Sequence, residues 1–279
     1  MLPTAMQPSV LLNSLLDKSR GTLDMSSKAA VFALLTLSVP QHGPAARPAP
    51  LPFGPGEVMT YSVVMKGMGS SGDATMSVQG PVNVRGTETF LLRSKSVAGI
   101  GPFKGSQTTE SWFDPIAIRS LRFYERTRRF LSTHITRVEI YPDNSTWKAT
   151  DGSGGASLTG SSLDELSFIY FLRLLPSDTD TVYRFNRHFD ATRDPVVIRV
   201  TRSGLISTEL GTFNTVLMEM HVHDPKRYTG EGIIKVYLSD DNCRVPIRID
   251  SNVPDLGSAV LTLRSYVNPA PSCDFAHRP

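Results

Sequence analysis

The sequence predicts a mainly β protein: a curved antiparallel sheet, or partly open barrel, of about a dozen strands wrapped around one apolar helix running from Asp164 to Leu175. Three observations point there. From Gly56 onward, apolar residues recur at every second position in short segments separated by Gly, Pro, Asp and Asn, which is the period of a strand. The connections between these segments are too short for parallel crossovers, so sequence neighbours should pair antiparallel. One segment breaks the alternation, and it is apolar on nearly every side.

Taken in order, the chain opens with a leader. In MSSKAAVFALLTLSVPQHGPAARPAP, from Met25 to Pro50, Lys28 supplies a small positive start and Ala29 to Val39 an apolar run. Gly43-Pro44-Ala45 or Pro44-Ala45-Ala46 then offers small residues at a cleavage point, the layout of a secretory signal peptide. Residues 25–46 therefore read as the signal and 1–24 as an upstream extension ahead of a start at Met25; the alternative is an amphipathic helix in SVLLNSLLDKSR. Residues 47–52 read as a linker, 53–267 as a single β-rich domain and 268–279 as a C-terminal tail. The apolar run is shorter than the roughly 20 residues a spanning helix needs, so no transmembrane anchor is expected. Neither cysteine precedes Cys243, which argues against a lipid anchor of the bacterial lipoprotein type.

Within the domain, strands are expected at EVMTYSVVMKG, DATMSVQG, TETFLLRSKSVAG, SQTTESWFD, IRSLRFYERTRR and THITRVEIY. After the Gly-rich loop DGSGGASLTGSS, the run LDELSFIYFLRLLP has Ser162 and Glu165 spaced as a capping box and Pro176 as a stop, which predicts a helix of about three turns. Phe168, Ile169, Phe171 and Leu172 leave it almost no polar face, so it should be buried. Strands resume at TVYRFNRHF, PVVIRV, NTVLMEMHVH, GIIKVYLSD, RVPIRID and SAVLTLRSYV.

The composition is that of an ordinary globular chain, with 40% hydrophobic and 20% charged residues. Lys and Arg exceed Asp and Glu by three, too few to point to nucleic acid as a partner. Cys243 and Cys273 follow turn-like DDNC and APSC; in an exported chain a bridge between them would close a loop of roughly 30 residues and pin the tail, the alternative being two unpaired thiols.

Several local patterns together resemble a known family. LPFGPGEVMTYSV, ESWFDP from Glu110 to Pro115, SFIYFLRLLP, GTFNTVLMEM and DDNCRVPIRI from Asp240 to Ile249 are similar to an uncharacterised family of exported bacterial proteins, a domain of unknown function, over Leu51 to Val267. The resemblance implies a location in the envelope of a Gram-negative-type bacterium, in its periplasm or outer envelope. It also implies a β-rich fold like the half-barrels of lipoprotein carriers, and no established activity. Cys243, after Asp240 and Asp241, departs from the usual pattern, which favours a bridge particular to this chain over a family-wide catalytic thiol.

Three constellations carry chemistry. In EMHVH, alternation puts Glu219, His221 and His223 on one strand face, a set that could hold a metal, although the apolar face opposite is the one expected inward. Arg122, Arg126 and Arg128 share a strand face with Tyr124 and form a patch suited to anionic headgroups or polysaccharide; a solvated outer face is the alternative. Trp112, Phe168, Phe171 and Leu172 are the residues expected to face an apolar ligand, with core packing as the alternative. No nucleophile elbow or phosphate-binding loop is present in the sequence, so no catalytic residue and no cofactor are expected. The reading that follows is a non-enzymatic exported envelope protein whose sheet and helix make a cup for a lipid or lipidated partner. The alternatives are a structural or protein-interaction module with a filled core, and a metal-dependent enzyme using the Glu219 set.

Overall fold

The structure, a computed structural model, describes residues 50–66, 70–100, 103–129, 131–254, 257–268 and 275. The expectations for 1–24 and 25–46 and for Cys273 lie outside them.

Among the described residues fourteen strands form one antiparallel sheet. In chain order they are β1 Val58–Met65, β2 Ser70–Val84, β3 Thr87–Ile100, β4 Phe103–Asp114, β5 Arg119–Arg129, β6 Ser132–Tyr141, β7 Thr146–Ala149 and β8 Gly154–Ala156. After the helix α1 Glu165–Leu172 come β9 Val182–Phe185, β10 Val196–Thr208, β11 Gly211–Val222, β12 Gly232–Ser239, β13 Pro246–Val253 and β14 Gly257–Val267. The spatial order is β8-β7-β6-β5-β4-β3-β2-β1-β14-β13-β12-β11-β10-β9. Two sequence-local meanders are thus joined at a single seam, β1 against β14, from Val58↔Val267 to Met65↔Ala259. The sheet is curved but not closed. Its free edges, β8 and β9, are only three and four residues long, and short edges limit pairing with other chains.

Strand alternation places one residue set inward. Met59, Tyr61 and Val63 from β1, Met76 and Val78 from β2, Ile198 and Val200 from β10, Met218 and Met220 from β11, and Leu263 from β14 join one core with α1. Because this core draws on both meanders, the sheet wraps the helix as expected. Phe123, Val138, Ile140, Trp147, Ala149 and Phe189 form a second, smaller cluster under β5 to β7. Where β2 and β3 draw close, Gly72 is required: a Cβ there would lie 1.9 Å from the Val97 carbonyl oxygen.

The helix differs from expectation at both ends. Asp164, not Ser162, is the N-cap: its Oδ1 accepts from Leu166 N–H at 3.0 Å and Ser167 N–H at 2.9 Å, while Ser167 Oγ accepts from Asp164 N–H at 2.8 Å. The Asp164 carboxylate also accepts from the Ser111 hydroxyl of β4, so a contact from the sheet favours this cap over the Ser162 spacing. Burial pushes Asp164 up to about 6. At the other end the helix stops at Leu172 instead of Leu175. Arg173 and Leu174 donate to Tyr170 and Phe171 three residues back, at 3.2 and 2.9 Å, which tightens the last turn, and Pro176 disfavours helical backbone at Leu175.

The stretches that carried the resemblance meet at this C-terminal end. Arg173 is fully buried and donates from both terminal nitrogens to Glu57, itself fully buried, at 2.8 Å each. The same guanidinium donates to the carbonyls of Pro52 and Cys243, both at 3.0 Å, and lies over the rings of Phe53 and Tyr170. Tyr266 of β14 donates to Glu57 at 3.1 Å. Residues read as linker and tail are docked here too: Leu51 packs on the core, and Phe275 stacks on Phe213 at 5.1 Å and meets Tyr266 edge-on at 4.8 Å.

Candidate functional site

The helix cannot fill the half-barrel. Eight residues of helix rise about 12 Å, whereas the fifteen residues of β2 extend roughly 50 Å. At the end of the barrel nearest the helix N-terminus a cleft of about 390 Å³ is left open.

One wall of the cleft is apolar. Val63, Met65, Phe168, Met220, Ile234 and Leu261 contribute to it from both sides of the seam and from the helix. The other wall is charged and lies where the chain between β9 and β10 meets the first turn of α1. Arg193 ion-pairs with Glu165 and reaches Asp224 at 3.5 Å; Arg227 stands 3.5 Å from Glu125, which also accepts from Gln107 at 2.9 Å. Burial opposes the charge on Glu165, but its surroundings together, Arg193 foremost, outweigh burial and hold the carboxyl down to about 2. For Glu125 burial prevails, with Glu165 adding to it, and its carboxyl is shifted upward.

His188 stands at the junction of the two walls, only 3% exposed, stacked parallel to Phe168 and tilted against Phe189 at 4.5 Å. Its Nδ1 accepts the Asp190 backbone N–H at 3.0 Å. The Asp190 carbonyl also lies 3.2 Å from that nitrogen, but an amide always carries its hydrogen, so with the shorter contact made the neutral ring bears its own on Nε2. Burial, reinforced by Arg193, pushes the imidazole down to about 3 and keeps it neutral. That Nε2 has no hydrogen-bond partner, the nearest Glu165 oxygen being 3.9 Å away, and the second oxygen of Glu165, Oε2, is likewise unpartnered. Leaving such groups dry costs about 1–3 kcal/mol each, so the cleft holds unspent hydrogen-bonding capacity beside its apolar wall.

The residues singled out in the sequence are distributed differently. Phe168 lines the cleft, whereas Phe171 and Leu172 belong to the core around the helix. Trp112 lies on the outer face of β4 beneath the Arg122 guanidinium, in a separate surface groove of about 650 Å³ shared with Tyr124, Arg137, Tyr141 and Lys148. Arg126 and Arg128 follow Arg122 on the same outer face and are exposed. Glu219 and His221 are also outward-facing: His221 bridges Glu219 and Glu231 at 2.8 Å each, and Lys235 completes the chain at 3.0 Å from Glu219. His223 instead turns its Nδ1 to the Gly230 carbonyl at 3.0 Å. These three are not brought together, and no group of three or more His, Cys, Asp or Glu able to hold a metal is found among the described residues.

His188 and Arg193 were not singled out from the sequence, and Glu165 only as a capping residue of the helix. A signal was there: RHFDATRD places Arg187, His188, Asp190, Arg193 and Asp194 within eight residues of a loop, a density a plain connection does not need.

A protein family of unknown function, DUF3108, matches residues 59–264, which spans nearly all of the sheet. The chain belongs to that family. A crystal structure of a beta-barrel-like protein of the DUF1849 domain of unknown function from Brucella abortus is similar to the DUF3108 domain, with a TM-score of 0.53 and 12% identity. The alignment covers 78% of this chain and 99% of that one; at such identity the likeness shows the fold alone. No curated protein matches significantly.

Proposed function

We propose that this DUF3108 domain is a non-enzymatic binding protein of the bacterial envelope that holds an amphipathic molecule, a lipid or lipidated partner, in the cleft beside α1. The observation that carries the reading is the pairing of an apolar wall with a wall whose buried polar atoms lack partners, in a cleft whose volume falls within the roughly 300–1,000 Å³ usual for small-molecule sites. A hydrocarbon chain suits the first wall and a polar head the second. Export is supported by the signal-like stretch at 25–46. An envelope setting also suits the outer face of β3 to β7, where Lys95, Arg126, Arg128 and Lys148 are exposed beside Arg122, a cationic surface on a nearly neutral chain.

Native mass spectrometry of protein purified from its own host tests the binding: a carrier retains a lipid-sized adduct. A second reading, a packed interaction module, is favoured by the dense core around the other half of the helix, and a uniformly bare chain would support it. Edman sequencing of exported material tests the compartment, with a mature end expected between Ala45 and Pro50; peptides from 1–24 in that material would refute the processing scheme.

A further inference from the structure

Three atoms of the cleft lack partners, His188 Nε2, Glu165 Oε2 and Arg193 Nε, and on the reading just given the first two narrow the ligand class. His188 Nε2–H is a donor without an acceptor, and Glu165 Oε2 is an acceptor without a donor. They belong to neighbouring side chains, since the other Glu165 oxygen is 3.9 Å from that same Nε2. A group placed between them must accept from the histidine and donate to the carboxylate. A hydroxyl does both through one oxygen.

We infer that the cleft selects amphiphiles with an uncharged hydroxyl head, an alcohol or a sugar hydroxyl, over those with an anionic head, and that His188 and Glu165 read that hydroxyl. The rest of the wall agrees. Glu125, Glu165 and Asp224 face the cleft against Arg193 and Arg227, with His188, His223 and Tyr228 the other titratable groups there. The charges of both arginines are already balanced by these acids, Arg193 Nε lacking a hydrogen-bond partner but standing 3.5 Å from Asp224, so a carboxylate or phosphate head would add uncompensated negative charge and would meet Glu165 as like against like. An ammonium head would oppose the His188 donor with another donor. An ether could accept from His188 but would leave Glu165 Oε2 unpaired.

Three probes of one chain length separate these cases: octanol, its methyl ether and octanoate, titrated into the full-length protein by calorimetry above neutral pH. Octanol should bind about tenfold tighter than the ether, the size of one good hydrogen bond to a charged group, and octanoate weakest. His188→Phe, which keeps the ring stacked between Phe168 and Phe189, should bring octanol down to the level of the ether. Glu165→Gln, whose amide can offer the ether a donor, should narrow the same gap and serves if the first variant does not fold. Equal affinity of the wild type for octanol and ether would overturn the hydroxyl assignment while leaving the cleft a chain-binding site. Octanoate binding tightest would overturn it equally. Binding of none of the three would overturn the cleft reading and this inference together.

Discussion

Replacing Arg173 by methionine strips the buried Glu57 carboxylate of both guanidinium contacts, leaving Tyr266 as a hydroxyl donor to it. Methionine keeps much of the stem's volume, so the loss is electrostatic and not a cavity. Removing one partner of a fully buried pair costs about 3–5 kcal/mol, because the surviving charge stays out of water without compensation. The carbonyls of Pro52 and Cys243 each lose a donor as well, which adds to the cost. In a domain of this size 1 kcal/mol moves the melting temperature by about 2–4 °C, so a drop of roughly 10 °C or more is expected. Neutralising the partner should reverse part of it: Glu57→Gln added to Arg173→Met ought to recover about 1–3 kcal/mol over the single variant, giving a strongly non-additive double-mutant cycle in urea. A single variant within about 1 kcal/mol of wild type, or an additive cycle, would refute the claim that this pair fastens the linker, the helix end and the β12–β13 turn together.

Leu172→Asp places an unpaired charge at a fully buried site of the helix and should leave the domain molten by near-ultraviolet circular dichroism; a native melting curve would mean the sheet does not depend on the helix. On acidification, His188 is expected to withdraw stability: its folded-state value is lowered to about 3 from an unfolded value near 6.5, so its contribution is complete above about 6.5 and falls with pH toward 3, at a slope of up to about 1.4 kcal/mol per pH unit. Asp164, raised to about 6, acts in the opposite sense between its unfolded value of 3.8 and that point, so the comparison of wild type with His188→Gln isolates the histidine, and parallel stability-pH profiles would rule out its titration as a cause. We also propose the Cys243–Cys273 bridge: Phe275 packs on Phe213, whose neighbour Asn214 accepts from Asp240 N–H at 2.9 Å, three residues before the buried Cys243, which brings the tail to that turn. Thiol labelling of the denatured, oxidised protein should find no free thiol, and Cys273→Ser should keep the fold while losing about 2–4 kcal/mol; two labelled thiols would disprove the bridge.

Legibility in the sequence followed the range of the interactions. Alternation in PVVIRV or GIIKVYLSD is a local consequence of burying one sheet face, and β10 and β12 lie where that pattern puts them. The helix was marked by its unbroken apolar run, but its cap was not: Ser162 before Glu165 and Asp164 before Ser167 both have capping-box spacing, and Ser111, more than fifty residues upstream, favours the second. The β1–β14 seam leaves no trace in either strand's composition, since each would suit any antiparallel neighbour. Glu57 in GPGEV reads as an ordinary charge at a turn because Arg173 is 116 positions away. His188 escaped notice for the same reason: its significance comes from Phe168 and Glu165 on the helix, not from its own loop.

The register of the seam also fixes which way the molecule faces. Val58 and Val267 are cross-strand partners, so the chain enters and leaves the sheet side by side, at the pole where Arg173 holds Pro52 and where Phe275 returns. Met65 and Ala259 mark the other end of the same two strands, and both line the cleft. Entry and exit of the polypeptide are therefore segregated from the mouth by the full length of the seam. Among the described residues both ends of the domain are gathered at the pole opposite the cleft, so a substitution at Pro52 or Phe275 reports on that pole and leaves the cleft lining untouched.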